Sequence, residues 1–258
     1  MPKTLDAGTF TIGALLGRYE RRRIVLPEFQ RSFSWEKAQI ARFWEDLIRF
    51  EKEYSLSPST ASYFLGPMVQ IENEDQLLLL DGQQRLATAT IALAVLRDVA
   101  RGLDKRGGIK GSDLARDIQR ELIEKDTDPI SYALTLSEFD EPYFLNAVKT
   151  DPPTVPQSKL RSHVLIQTAY AHSIGYVERL IKGRKLDDSL KIIKSIRDAL
   201  TKGITLVGMI VQSESDAYTI FETLNDRGLR LSVPDLVLNL LMRRAPDGTA
   251  RKLGRVIN

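Results

Sequence analysis

A chain of 258 residues with 43% hydrophobic content carries enough apolar material for an ordinary folded core, arranged as one large or two modest domains. With no cysteine it is excluded from disulfides, thiolate catalysis and zinc sites built on Cys, so a bound metal would rest on oxygen. A net charge of +3 is far milder than that of a histone-like binder, no apolar run reaches the ~18 residues of a membrane span, and the first residues lack secretion-signal order, which together predict a cytoplasmic protein with no membrane partner.

In chain order, TFTIGALLG reads as a short helix opened by threonine, and RIVLPEF as an extended run ended by proline. PEFQRSFSW, from Pro27 to Trp35, then ends that strand in the pair Gln30-Arg31 and sets Phe33 and Trp35 around Ser34, a candidate N-cap. The two aromatics are either a staple packed on the next helix or a platform on which a base stacks. Residues 38–54 place Ile40, Phe43, Trp44, Leu47 and Ile48 at the spacing of a helix with one buried face. MVQIEN and QLLLLD read as a hairpin whose second strand is buried on both sides, followed by an alanine-rich helix over 86–100 with Gly102 as a stop.

The junction LLLLDGQQRLATAT carries the densest chemistry. A buried strand that ends at Asp81-Gly82 and hands over to a helix presents the open N–H groups of the first turn, with their partial positive charge, at one point. That point attracts anions, phosphate above all. Gly82 lets a ligand approach the backbone, Gln83 and Gln84 both donate and accept, and Arg85 offers a fork for phosphate oxygens. Asp81 is suited to hold Mg²⁺ or orient a water. On the residues alone, an ordinary polar turn explains the stretch equally well.

Beyond about 101 the texture is mostly helical, with segments near 113–125, 140–149, 158–182 and 187–201. We therefore divide the chain into a region of mixed strands and helices over 1–100 and a mainly helical region over 101–258. DPPTVPQ, with three prolines, is an internal boundary, and two strand-like runs, ISYALTLS from Ile130 and GITLVGMIVQ from Gly203, interrupt the helices. His163 and His172 stand on opposite faces of one helix and cannot form a local ligand pair. Basic clusters at 21–23, 105–110 and 182–185 read as solvated faces unless they converge. A third polar motif follows a helix predicted to end at Leu224: Asn225-Asp226-Arg227-Gly228, a tight turn with Gly228 at positive φ.

Taken together, PEFQRSFSW, LLDGQQRLAT and FETLNDRGLRLSVPDL in this order resemble the N-terminal domain of the GmrSD-type modification-dependent restriction endonucleases, a family that includes a phosphorothioation-sensing defence effector. The resemblance covers roughly residues 9 to 245. It implies an α+β fold, a small ParB/sulfiredoxin-like mixed sheet with helices followed by a mainly helical region. It also implies a domain that binds and hydrolyses a nucleoside triphosphate with Mg²⁺ and couples this to cleavage of modified DNA.

By the resemblance, the nucleotide-binding residues are Gln30, Arg31, Gly82, Gln83, Gln84, Asn225, Arg227 and Gly228, to which Trp35 is added as the candidate base-stacking platform. Asp81 and Arg85 are the catalytic pair and Asp81 the metal ligand. Two positions depart from the family pattern: Ala87 replaces a threonine and Leu238 a lysine. Full-length relatives carry a His-Asn-His nuclease domain, whose chemistry needs a histidine that residues after 205 do not supply, so the nuclease is expected from another domain or subunit. A homo-oligomer, a non-hydrolysing DNA-binding module and a ParB-like nicking nuclease stay open as alternatives.

Overall fold

The computed structural model describes residues 6–17, 22–28, 30–72, 76–104, 109–125, 131–150 and 155–211. Strand β1 (Asp6–Thr11) runs into helix α1 (Ile12–Leu16), where the Thr11 hydroxyl accepts a hydrogen bond from Ala14 N at 3.1 Å. Strand β2 (Arg23–Val25) is short and stops just before Pro27, which has no N–H to continue a ladder. Helix α2 (Lys37–Leu56) buries Ile40, Phe43, Trp44, Leu47, Phe50 and Tyr54, so the apolar stripe read from the sequence continues for two more turns. It opens later than Ser34. Glu36 is its N-cap, and Gln39 Oε1 accepts from Glu36 N at 3.1 Å.

Strands β3 (Tyr63–Glu72) and β4 (Gln76–Asp81) pair antiparallel as the expected hairpin. Leu77 and Leu79 of β4 enter the main core, while Leu78 and Leu80 pack with Val69 and Ile71 on the other face. That two-sided burial is why the strand is an unbroken apolar run. Helix α3 (Gln83–Leu103) follows after one residue and is buried along nearly its whole length.

Two further strands arrive from far along the chain, β7 (Leu134–Thr135) and β8 (Ile204–Val211). The sheet order is β1-β8-β3-β4-β2-β7. β1–β8 and β3–β4 are antiparallel; β8–β3, β4–β2 and β2–β7 are parallel. The fold is α+β with a mixed sheet, as the resemblance implies.

The remaining helices are α4 (Lys110–Ile118), α5 (Glu141–Val148), α6 (Arg161–Ile181) and α7 (Leu186–Asp198). The helix expected over 113–125 ends sooner, passing through a π-helical turn (Gln119–Ile123) into β5 (Glu124–Lys125). The single strand expected in ISYALTLS splits in two: β6 (Ser131–Tyr132) pairs with β5 apart from the main sheet, and β7 pairs with β2 inside it.

Polar anchors join these layers. Arg97 of α3 is fully buried and forks onto Asp98 at 2.7 and 2.8 Å, with further bonds to Gln119 Oε1 and the Val148 carbonyl. Tyr170 of α6 donates to the same Asp98 carboxylate at 2.7 Å. A buried guanidinium needs such saturation, because an unpaired charge there would cost several kcal/mol. On the other side of the bundle Trp44 donates to Ser173 Oγ at 2.7 Å and stacks on Tyr176. Among the described residues no helix is long and apolar enough to cross a membrane.

Candidate functional site

The strand–turn–helix junction forms as its sequence predicts. Gly82 is the N-cap of α3 with φ 95° and ψ 0°, a left-handed conformation that L side chains rarely adopt. The first turn of α3 then crosses residues 66–68 of β3. A Cβ on Gly82 would stand 3.4 Å from the Met68 side chain, and Arg85 Nη1 donates to the Pro67 carbonyl at 2.5 Å.

Arg85 also packs closely on the strand at the neighbouring residue. Gly66 has φ 139°, and a Cβ there would lie 2.9 Å from Arg85 Cζ, so the guanidinium rests on bare backbone. Glycine inside a strand often marks such an approach, and Gly66-Pro67 is the sequence signal for it. Arg85 is half-buried and spends only part of its donor set on Pro67.

The two glutamines divide their tasks. Gln84 is buried and reaches the loop that precedes α2: its Oε1 accepts from Ser34 N at 2.9 Å and its Nε2 donates to Ser32 O at 3.2 Å. Between these contacts Phe33 N donates to Asp140 Oδ2 at 2.7 Å, and the Phe33 ring is buried in the core. Phe33 is therefore a packing residue, which leaves Trp35 as the aromatic of that pair at the site. Gln83 is also buried, and its Oε1 has no hydrogen-bond partner among the described residues. An orphaned acceptor at the mouth of a helix is costly unless something else supplies a donor.

Asp81 closes β4 opposite Val69 and is half-buried. No described side chain is bonded to its carboxylate. Gln30 lies in a turn closed by Gln30 N donating to Pro27 O at 3.0 Å, and Arg31 is exposed beside it. Asn225, Arg227 and Gly228 lie outside the described residues. Ala87, where the family pattern carries threonine, is buried in the core.

Next to this junction a cleft of about 200 Å³ opens between α2, the start of β3 and α3. Trp35 and Arg85 both line it. The sequence reading missed its other polar walls, Gln39, Arg42, Asp46 and Tyr63. The first three sit three and four residues apart on α2, a spacing that reads as the ordinary solvent face of an amphipathic helix. Tyr63 donates to Asp46 Oδ2 at 3.3 Å; burial, reinforced by that carboxylate, pushes its hydroxyl above the usual tyrosine value and keeps it a donor.

The donor set sets limits on a metal. Among the described residues no three His, Cys, Asp or Glu side chains gather where they could hold an ion. Asp81 offers one carboxylate that no described side chain engages, a pattern that fits Mg²⁺ only when a ligand's own phosphate oxygens supply further coordination.

The chain matches the family model described as GmrSD restriction endonuclease, N-terminal domain, over residues 12–242. No curated protein matches it.

Proposed function

Because the chain belongs to the GmrSD restriction endonuclease N-terminal domain family, we propose that it binds a nucleoside triphosphate at the first turn of α3 and hydrolyses it to control engagement of modified DNA. In this reading the domain serves a nuclease of His-Asn-His type. The observation that supports this reading most directly is the Gln84 clamp. It fastens residues 32–34 to the turn that carries Gly82 and Arg85, so two motifs some fifty residues apart share one rigid site.

In this reading the phosphates lie against the N–H groups after Gly82, where the helix's partial positive charge and the free part of the Arg85 fork stabilise negative charge. Arg31, exposed on the clamped loop, adds a second cation. Gln83 Oε1 accepts from a ligand hydroxyl or an ordered water, which removes its orphaned state. Mg²⁺, when bound with the triphosphate at Asp81, supplies neutralisation of the transferring phosphoryl charge. By the family resemblance, Asn225 and Arg227 supply further donors to the same phosphates.

Calorimetric titration of the four triphosphates with Mg²⁺ tests the proposal. Saturable binding that Arg85→Ala removes is the expected result. If no triphosphate binds, while duplex DNA binds with an affinity that collapses between roughly 50 and 200 mM salt, the same arginines are a clamp for backbone phosphates instead.

A further inference from the structure

We infer that the cleft between α2, β3 and α3 is the base-binding half of this site, with Trp35 as the stacking surface and Asp46 as the residue that discriminates among bases. The inference rests on the proposal that phosphates occupy the first turn of α3. At about 200 Å³ the cleft is smaller than the roughly 300–1,000 Å³ of pockets that enclose a whole ligand. It therefore takes a part of one. Arg85 belongs to both the cleft wall and the helix turn, so a ligand seated on the turn lies beside the cleft and can extend into it.

The walls select a flat, heteroaromatic part. Trp44, the chain's other tryptophan, is fully buried and stacked on Tyr176 at 5.6 Å. Trp35 is half-exposed and pairs with no other ring among the described residues, leaving a face for a base. Leu47 and Leu65 supply an apolar floor. Among the polar walls Asp46 supplies an acceptor and Arg42, with Arg85, positive charge. The Asp46 carboxylate takes a bond from Tyr63 and one from Arg49 at 3.2 Å and retains acceptor capacity, which suits the N–H donors on a base edge. Gln39 lends its Oε1 to Glu36 N, so toward the cleft it offers its amide donors.

Trp35 reports on the cleft without any mutation. Because Trp44 is fully buried, iodide quenching of the intact chain reads Trp35. A triphosphate shields Trp35 from iodide, whereas inorganic tripolyphosphate binds and leaves Trp35 accessible. Trp35→Ala weakens the triphosphate by about 5- to 150-fold, the loss typical of one stacked base, and leaves tripolyphosphate affinity unchanged. Trp35→Phe, which keeps a ring, recovers most of it. Asp46→Asn changes the affinity ranking of the four triphosphates but not tripolyphosphate binding. Equal binding of triphosphate and tripolyphosphate, with Trp35 accessible in both, overturns the base half-site and leaves the phosphate reading intact. Failure of both ligands to bind sinks the phosphate reading and this inference with it. Shielding by a single-stranded oligonucleotide alone overturns the inference too, since the base would then come from DNA.

Discussion

Replacing Gln84 by alanine tests the joint on which the site depends. The substitution deletes two neutral hydrogen bonds, to Ser34 N and Ser32 O, each contributing ~0.5–1.5 kcal/mol. The sum is roughly 1–3 kcal/mol, and because the loop is only partly buried, water can re-satisfy the freed groups and hold the loss to about 1–2 kcal/mol. For a chain of this size that corresponds to a fall in Tm of roughly 2–8 °C by calorimetry. The larger effect should be local. With residues 32–34 released, Trp35 loses its place, so its emission shifts to the red and triphosphate affinity drops well beyond what the stability change explains. Gln84→Glu separates the bonds, since it keeps the acceptor for Ser34 N and removes the donor to Ser32 O. Unchanged Tm, emission and affinity in Gln84→Ala would show that the clamp does not organise the site.

Arg85→Ala should abolish triphosphate binding in titration while costing about 1.5–3 kcal/mol of stability, because the charged bond to the Pro67 carbonyl goes with it; binding retained in a strongly destabilised variant would make Arg85 a brace for β3. Asp81→Ala should lower the turnover number far more than the affinity, since the carboxylate bonds to no described side chain and, in the proposed reading, faces the phosphates; equal losses in steady-state and binding assays would argue against a role in the reaction. Burial raises the Glu141 carboxyl from its ordinary 4.5 to about 7, against the opposing bond from Leu136 N. Between these values the folded chain holds more protons than the unfolded one, so stability should be greatest below pH ~4.5 as far as this group is concerned and decline as pH rises to about 7. In Glu141→Gln that slope of Tm against pH should disappear, and a slope identical to the parent's would assign it to other groups.

Local pattern carried much of the architecture. LLLLDGQQR revealed a doubly buried strand, a tight turn and a helix because each element is specified by adjacent residues: alternating leucines for two faces, a glycine for positive φ, alanines for close packing. Partnership between distant segments was not legible. GITLVGMIVQ was recognisably a strand, yet nothing in it says that it lies between β1 and β3. The aromatic pair around Ser34 left staple and platform open; only the burial of Phe33 in the core, with Trp35 half-exposed, shows which ring turns inward. Gln84 reads as a ligand-facing amide, and its use as a clamp needs the position of a loop fifty residues away. The α2 walls of the cleft were invisible for a different reason: Gln39, Arg42 and Asp46 have the composition of any wet helix face, and the concavity comes from Tyr63 and Arg85 opposite them.

The place of β8 in the sheet has a consequence for synthesis on the ribosome. β1 leaves the ribosome roughly 200 residues ahead of its described partner, β8 at residues 204–211. At ~5–20 residues per second the first strand waits on the order of 10–40 s for that partner. During this interval the apolar edge of β3 along which β8 will lie is also bare, a template for pairing with another nascent chain. The β3–β4 hairpin and α3 can assemble early because their contacts are local, whereas closure of the sheet is a late event with a long loop to bridge. A substitution that weakens β8 should therefore reveal itself first as aggregation during expression, before any change in the ligand chemistry of the mature protein.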